Sequence, residues 1–301
     1  MHVASSGHWP GTRPLLALRH AKREFDTGAV GRWSDETPFP VPVERAIAYA
    51  KATNDPFAAH LDGTLAPPVF AVVPTLPALA QVTLAAVPEA LAMRILHGEQ
   101  DFRLHRPIVP GETLKVRAKV VGIHGKSSGV IVTSLAETRD ADDQPVNEQY
   151  FSGFFRGGES PLQLGETAPG HTFDEAFRNR LADFNVEQKF DLDQTFRYAE
   201  PAGDPMPIHL DDEFAKKMGL PGIIMHGLCT MAFTSHAVLS AVASEHPERL
   251  KRLAVRFSAP GRPGQVMTTS MWRTTDGVTF ESVNDEGQVL IKDGLAEIEG
   301  A

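Results

Sequence analysis

Two long apolar runs interrupt a chain in which polar and apolar positions otherwise alternate. Residues 223–243, IIMHGLCTMAFTSHAVLSAVA, are apolar on nearly every side of a helix and long enough to form one. Such a pattern predicts a helix buried on all faces. Residues 66–87, APPVFAVVPTLPALAQVTLAAV, form the other run. Behind each run the period shortens to two, as half-buried strands require. The first run is followed by ETLKVRAKVVGI, GVIVTSLAET and VNEQYFSGFFR. The second is followed by KRLAVRFS, QVMTTSMWR, VTFESVN and QVLIKDGLAEI. Turn-forming stretches (PG, HGKSSG, DADDQP, TTDG, NDEG) separate these segments and predict antiparallel hairpins.

The two runs belong to an internal repeat. YAKATNDPFAAHLD at residues 49–62 recurs as YAEPAGDPMPIHLD at 198–211, with seven of fourteen positions identical at an offset of 149. Pro107-x-x-Pro110-Gly111 recurs as Pro260-x-x-Pro263-Gly264, at an offset of 153. Preserved order and spacing indicate a duplicated domain. A helix wrapped by a curved antiparallel sheet, present twice, is an α+β double hot-dog. One half alone would leave a side of its sheet and helix uncovered, whereas two make an intramolecular pseudo-dimer. The expected boundaries are an N-terminal extension over 1–37 and a first hot-dog domain over 38–157. A Pro/Gly/Ser-rich linker follows over 158–184, and a second hot-dog domain over 185–301. Within the linker, HTFDEAFRNRLADF reads as a short helix.

Composition narrows the function. Apolar residues make up 42% of the 301 positions and charged residues 22%, ordinary for a chain with a packed core. A net charge of −9 argues against a nucleic-acid binder and against docking on an anionic membrane. Five prolines break residues 65–88, and two histidines fall within 223–243, so both read as buried segments rather than membrane spans. The N-terminal apolar run is too short for a signal peptide. The single cysteine, Cys229, excludes an internal disulfide, suits a reducing cytoplasmic setting, and reads as a buried structural thiol.

Gly203-Asp204-Pro205-Met206-Pro207-Ile208-His209 resembles the signature of the MaoC-like, or hydratase 2, family of (R)-specific enoyl-CoA hydratases. GLPGIIMHGLCTMAF resembles that family's second block, a His-Gly pair opening the central helix. The resemblance covers the chain from about residue 38 onward. It implies reversible syn hydration of a trans-2-enoyl-CoA to an (R)-3-hydroxyacyl-CoA, with Asp204 and His209 activating a water. It further implies that the Gly227 N–H receives the thioester oxygen and that Ser235 supports Asp204. The physics agrees, because a carboxylate and an imidazole on one water can act as base and acid. A helix start offers unpaired N–H groups to a developing oxyanion. No metal and no cofactor are expected, coenzyme A entering only as part of the substrate. The expected partners are acyl-CoA or acyl carrier protein, and a second chain in a homodimer of pseudo-dimers.

Met206 departs from the family pattern, which has Asn there and so a side-chain hydrogen-bond donor. The first half keeps Asp55 and His60 but places Val72 and Val73 opposite His226 and Gly227. That half is expected to have lost chemistry and to shape the acyl pocket. A zinc site from His209, His226 and His236 lacks any supporting spacing. Lys251, Arg252, Arg256 and Arg262 either meet coenzyme A phosphates or form an exposed basic face. A thioesterase, or an acyl-thioester binding module without turnover, are the alternative functions, since fold alone does not fix chemistry.

Overall fold

The computed structural model describes residues 23–158, 160–243 and 246–300, so residues 1–22 of the expected extension lie outside the described residues. The first half contains β1 (Thr37–Pro40), α1 (Val43–Ala52), α2 (Ala58–Leu61) and α3 (Val72–Ala85), then β2 (Ile95–Leu104), β3 (Thr113–Lys126), β4 (Gly129–Arg139) and β5 (Pro145–Arg156). A short strand, β6 (Gln163–Gly165), lies in the connection. The second half repeats the order with β7 (Phe184–Lys189), α4 (Gln194–Ala202), α5 (Asp212–Lys217) and α6 (Gly227–Val242), then β8 (Leu250–Phe257), β9 (Val266–Thr274), β10 (Gly277–Asn284) and β11 (Val289–Ile298).

All eleven strands join one antiparallel sheet, ordered β1-β3-β4-β5-β2-β8-β11-β10-β9-β7 with β6 beside β3. The halves meet where β2 pairs with β8, Glu99 opposite Arg256 and Arg103 opposite Arg252. Each half is a hot-dog unit, and the fold is the expected double hot-dog. The repeat is visible in space, because Tyr49 and Tyr198, equivalent in the two copies, hydrogen-bond through their hydroxyls at 3.2 Å. One apolar cluster runs through both halves, from Phe70 and Val72 to Met231, Phe233 and Phe280.

α6 is buried at every residue from Leu228 to Leu239, as its apolar run predicts. At roughly 1.5–3 kcal/mol for each large apolar side chain taken from water, this helix is a main source of stability. α3 differs. It packs on β3 and β4 but presents Ala80, Gln81 and Leu84 outward. The stretch Pro68–Ala85 is long and apolar enough to cross a membrane by composition, with half of it buried in this fold.

Three features depart from the sequence reading. β2 was absent from the expected strands because its buried positions include Gln100 and Asp101, which break the apolar alternation. These side chains are buried because they have partners. Gln100 bonds Gln149, and Asp101 pairs with Arg252 across the junction of the halves. Where HTFDEAFRNRLADF was expected to form a short helix, a 3-10 turn forms, Glu175–Asn179. The preceding chain is pinned in extended form, with His171 bonded to Glu99 and to the Asp293 carbonyl. Finally, no exposed basic face forms from the four cations considered above. Arg252 is buried on Asp101, Arg256 reaches Glu99 and Asp293, Lys251 pairs with Glu299, and Arg262 pairs with Glu286.

Candidate active site

The Asp/His loop begins as a helix stop. α4 ends at Gly203, whose φ of +74° is the left-handed region that glycine enters without penalty. The amides of Gly203 and Asp204 both donate to the Ala199 carbonyl, so Asp204 leaves the helix in a fixed direction. The Met206 N–H then donates to Asp204 Oδ1 at 3.3 Å, and Pro207 opens a 3-10 turn ending at His209. The first copy folds the same way. Asn54 takes the left-handed position (φ +53°), Asp55 N–H reaches Ala50 O, and Phe57 N–H donates to Asp55 Oδ1 at 2.9 Å.

The two copies part at the histidine. His60 Nδ1 bonds Asp55 Oδ2 directly at 2.8 Å, and both side chains are buried. His236, from the central helix of the other half, brings Nε2 to 3.1 Å from the same oxygen. Burial opposes ionisation of Asp55, but His236 and His60 outweigh it and hold the carboxyl well below the usual range. Thus Asp55 and His60 form a closed pair that ties the halves together. A cavity of about 20 Å³ beside His60 has room for little more than a water.

In the second copy His209 Nδ1 donates instead to the Ile224 carbonyl at 2.8 Å. A carbonyl only accepts, so the proton sits on Nδ1 and Nε2 keeps its lone pair. Asp204 and His209 remain apart, and with His226 their polar atoms lie within 4.8 Å of one another. His226 stacks on His209 at 3.8 Å and donates Nε2–H to the Asp204 carbonyl, fastening the loop to the start of α6. Burial, together with the neighbouring His209, pushes His226 down to about 3. Burial also lowers His209, against the opposing pull of the Ile224 bond and the Asp204 charge. Both rings are therefore neutral near pH 7. By residue type and distance Asp204, His209 and His226 could hold a metal ion, but His236 is not among them.

Gly227 is the first residue of α6, and its N–H makes no hydrogen bond to another described residue. A Cβ added there would meet the ring of Phe257 at 3.3 Å, so glycine lets that ring sit close to the helix start. Ser235 is not brought to Asp204. Its hydroxyl is buried and donates to the Ala232 carbonyl of its own helix, so the Ser235–Asp204 contact implied by the family resemblance does not form. Reading the sequence also missed His97, on β2, whose ring lies 4.6 Å from that of Phe257. The signal was present in the offset of 153 at Pro107 and Pro260, which projects β8 back onto residues 97–104.

Residues 177–294 match the MaoC like domain, and residues 50–157 match the MFE-2 hydratase 2 N-terminal domain. The 3-hydroxyacyl-thioester dehydratase Y of Mycobacterium tuberculosis is 30% identical over 221 residues, covering 67% of this chain and 72% of that protein. The peroxisomal multifunctional enzyme type 2 of Mus musculus is also 30% identical, over 211 residues and 68% of this chain, but the match spans only 28% of that longer protein. The crystal structure of a MaoC-like dehydratase from Phytophthora capsici superposes with a TM-score of 0.79 at 26% identity, covering 91% of this chain and 97% of that one. With both halves matched and the motif loop and helix start built as described, the chain belongs to the MaoC-like, hydratase 2 family.

Proposed function

We propose that this chain is a hydro-lyase that adds water syn across a trans-2-enoyl thioester to give an (R)-3-hydroxyacyl thioester, and catalyses the reverse dehydration. One observation carries the reading: a carboxylate and an imidazole lone pair are held apart at the mouth of a helix whose first amide is unpaired. A water between Asp204 and His209 Nε2 gives one proton to the pair as its oxygen bonds C3. The C2=C3 electrons move toward the carbonyl, and the thioester oxygen takes the negative charge against the Gly227 N–H. C2 then collects a proton from the same pair on the same face, which makes the addition syn. The reaction is redox-neutral, and coenzyme A enters as part of the substrate.

The relatives' names point the same way, one being a 3-hydroxyacyl-thioester dehydratase. The closed Asp55–His60 pair supports a first half without chemistry of its own. A thioesterase would need the water aimed at the carbonyl, while the amide at the helix start favours holding that oxygen.

The test is loss of enoyl-thioester absorbance over a series of acyl lengths, on coenzyme A and on acyl carrier protein, with chiral analysis of product. Asp204→Asn and His209→Ala should each lose about 10²–10⁴-fold in kcat. An (S) product, or free thiol released from the substrate, overturns the assignment. Full turnover by Asp204→Asn would move the chemistry to Asp55 and His60.

A further inference from the structure

The motif loop and the helix start both come from the second half, but one wall of their site does not. The β2–β8 ladder pairs Glu99 with Arg256. Continuing that register would set Gly98 opposite Phe257, and the irregularity in β2 between His97 and Glu99 brings the His97 ring against that of Phe257 at the end of β8. The imidazole lies between two phenyl rings, 4.6 Å from Phe257 and 4.7 Å from Phe151. Phe257 in turn is the side chain seated on Gly227. His97 thus reaches the helix start through a single intervening ring, and burial pushes it down to about 4 against the opposing pull of the Gln100 bond and the Asp204 charge.

The ring is held by a buried chain of amides. His97 Nε2–H donates to Gln100 Oε1 at 3.1 Å, Gln100 to Gln149 at 3.1 Å, and Gln149 to the Ala71 carbonyl just before α3 at 2.9 Å. Gln100 and Gln149 are fully buried. Such committed amides fix a ring's tilt far more tightly than apolar packing alone.

Duplication supplies the control. The offset of 153 sets His97 opposite Leu250 and Phe257 opposite Leu104. Leu104 and Leu250 both line the small cavity beside His60. The half with the closed acid–histidine pair has two aliphatic side chains at these places. The half with the open pair has imidazole on phenyl.

We propose that His97 is a positioning residue of the second-half site, contributed by the first half: it holds Phe257 on the first turn of α6 and so keeps the Gly227 amide aimed at the thioester oxygen. The proposal rests on the hydratase reading above. An aim that matters only as charge develops affects kcat more than KM. A displacement of about 1 Å can cost 10²-fold.

The experiment compares His97→Ala, His97→Phe and Phe257→Ala, with the His97→Ala/Phe257→Ala double variant, each checked by thermal unfolding. His97→Ala should lose roughly 10- to 100-fold in kcat with KM changed less than about 3-fold. His97→Phe, which restores a ring against Phe257 but not the bond to Gln100, should recover part of that loss and lie between His97→Ala and the parent. The double variant should fall little below the worse single one, as coupled neighbours do. Wild-type kcat in His97→Ala, additive losses in the double variant, or a change in KM alone would each overturn the proposal. So would His97→Phe being as slow as His97→Ala with its acid limb gone, since that means proton transfer by His97 itself. A parent enzyme inactive on every enoyl thioester sinks the hydratase reading, whereas an active parent with an indifferent His97 sinks only this inference.

Discussion

His209 and Asp204 differ from His60 and Asp55 by where one imidazole nitrogen points. In both copies Nδ1 is the bonded nitrogen: in the second it donates to the Ile224 carbonyl and leaves the Asp204 carboxylate free of its histidine, whereas in the first it bonds the Asp55 carboxylate itself. His209 must be neutral to accept a proton, so kcat/KM should rise with pH through the His209 pKa. Burial lowers that pKa, and the acid limb should therefore lie below the ordinary imidazole value of about 6.5. A limb centred at 7 or above, absent in His209→Ala, would contradict this. Met206 is a second residue-scale matter. The residue is 41% exposed and its backbone N–H serves Asp204. Met206→Asn adds a side-chain donor beside the water, and one hydrogen bond of about 1 kcal/mol corresponds to roughly a fivefold gain in kcat. A slower variant would show that the site is tuned around methionine.

Among the elements, α6 was legible because burial on every face leaves no room for a polar pattern, and the Asp204–His209 loop was legible through its motif. β2 was not. A strand at the junction of two halves buries polar side chains that find partners across it, and the alternation that marks a strand disappears. His97 was hidden with it. The Asp55–His60–His236 cluster joins α2 and its loop to α6, and its worth should show in unfolding. His60→Ala leaves a buried carboxylate short of a partner, at a cost of about 3 kcal/mol. Because the Asp55 pKa is depressed in the fold, its stabilisation is complete above the unfolded carboxylate value of about 3.9 and fades as pH falls below it. Urea midpoints measured from pH 5 to pH 3 should drop for the parent chain and drop less for Asp55→Asn, which starts lower at neutral pH. Parallel slopes would deny Asp55 this role.

For the whole molecule, a single apolar cluster through both halves and a sheet continuous across β2 and β8 predict one unfolding transition. Arg252→Ala strands Asp101, which is fully buried at the junction, and should cost about 3–5 kcal/mol while keeping that transition single. Two separated transitions, in the parent or the variant, would mean the halves fold as independent units. Duplication was plain from the repeat, but the apolar cluster shared by both halves was not, since sequence periodicity reports which face is apolar and not which neighbour covers it.

The Tyr49–Tyr198 contact carries a further consequence. A residue that touches its own repeat-mate marks the pseudo-dyad that relates the two halves. A hydrogen bond between two hydroxyls has only one donor, so the two halves are unequal by a single proton at their centre. The phenol at 198 lies against His226 and the phenol at 49 against Phe70, so the two faces of the pseudo-dyad differ: one borders the open acid–histidine pair and the other borders the apolar core.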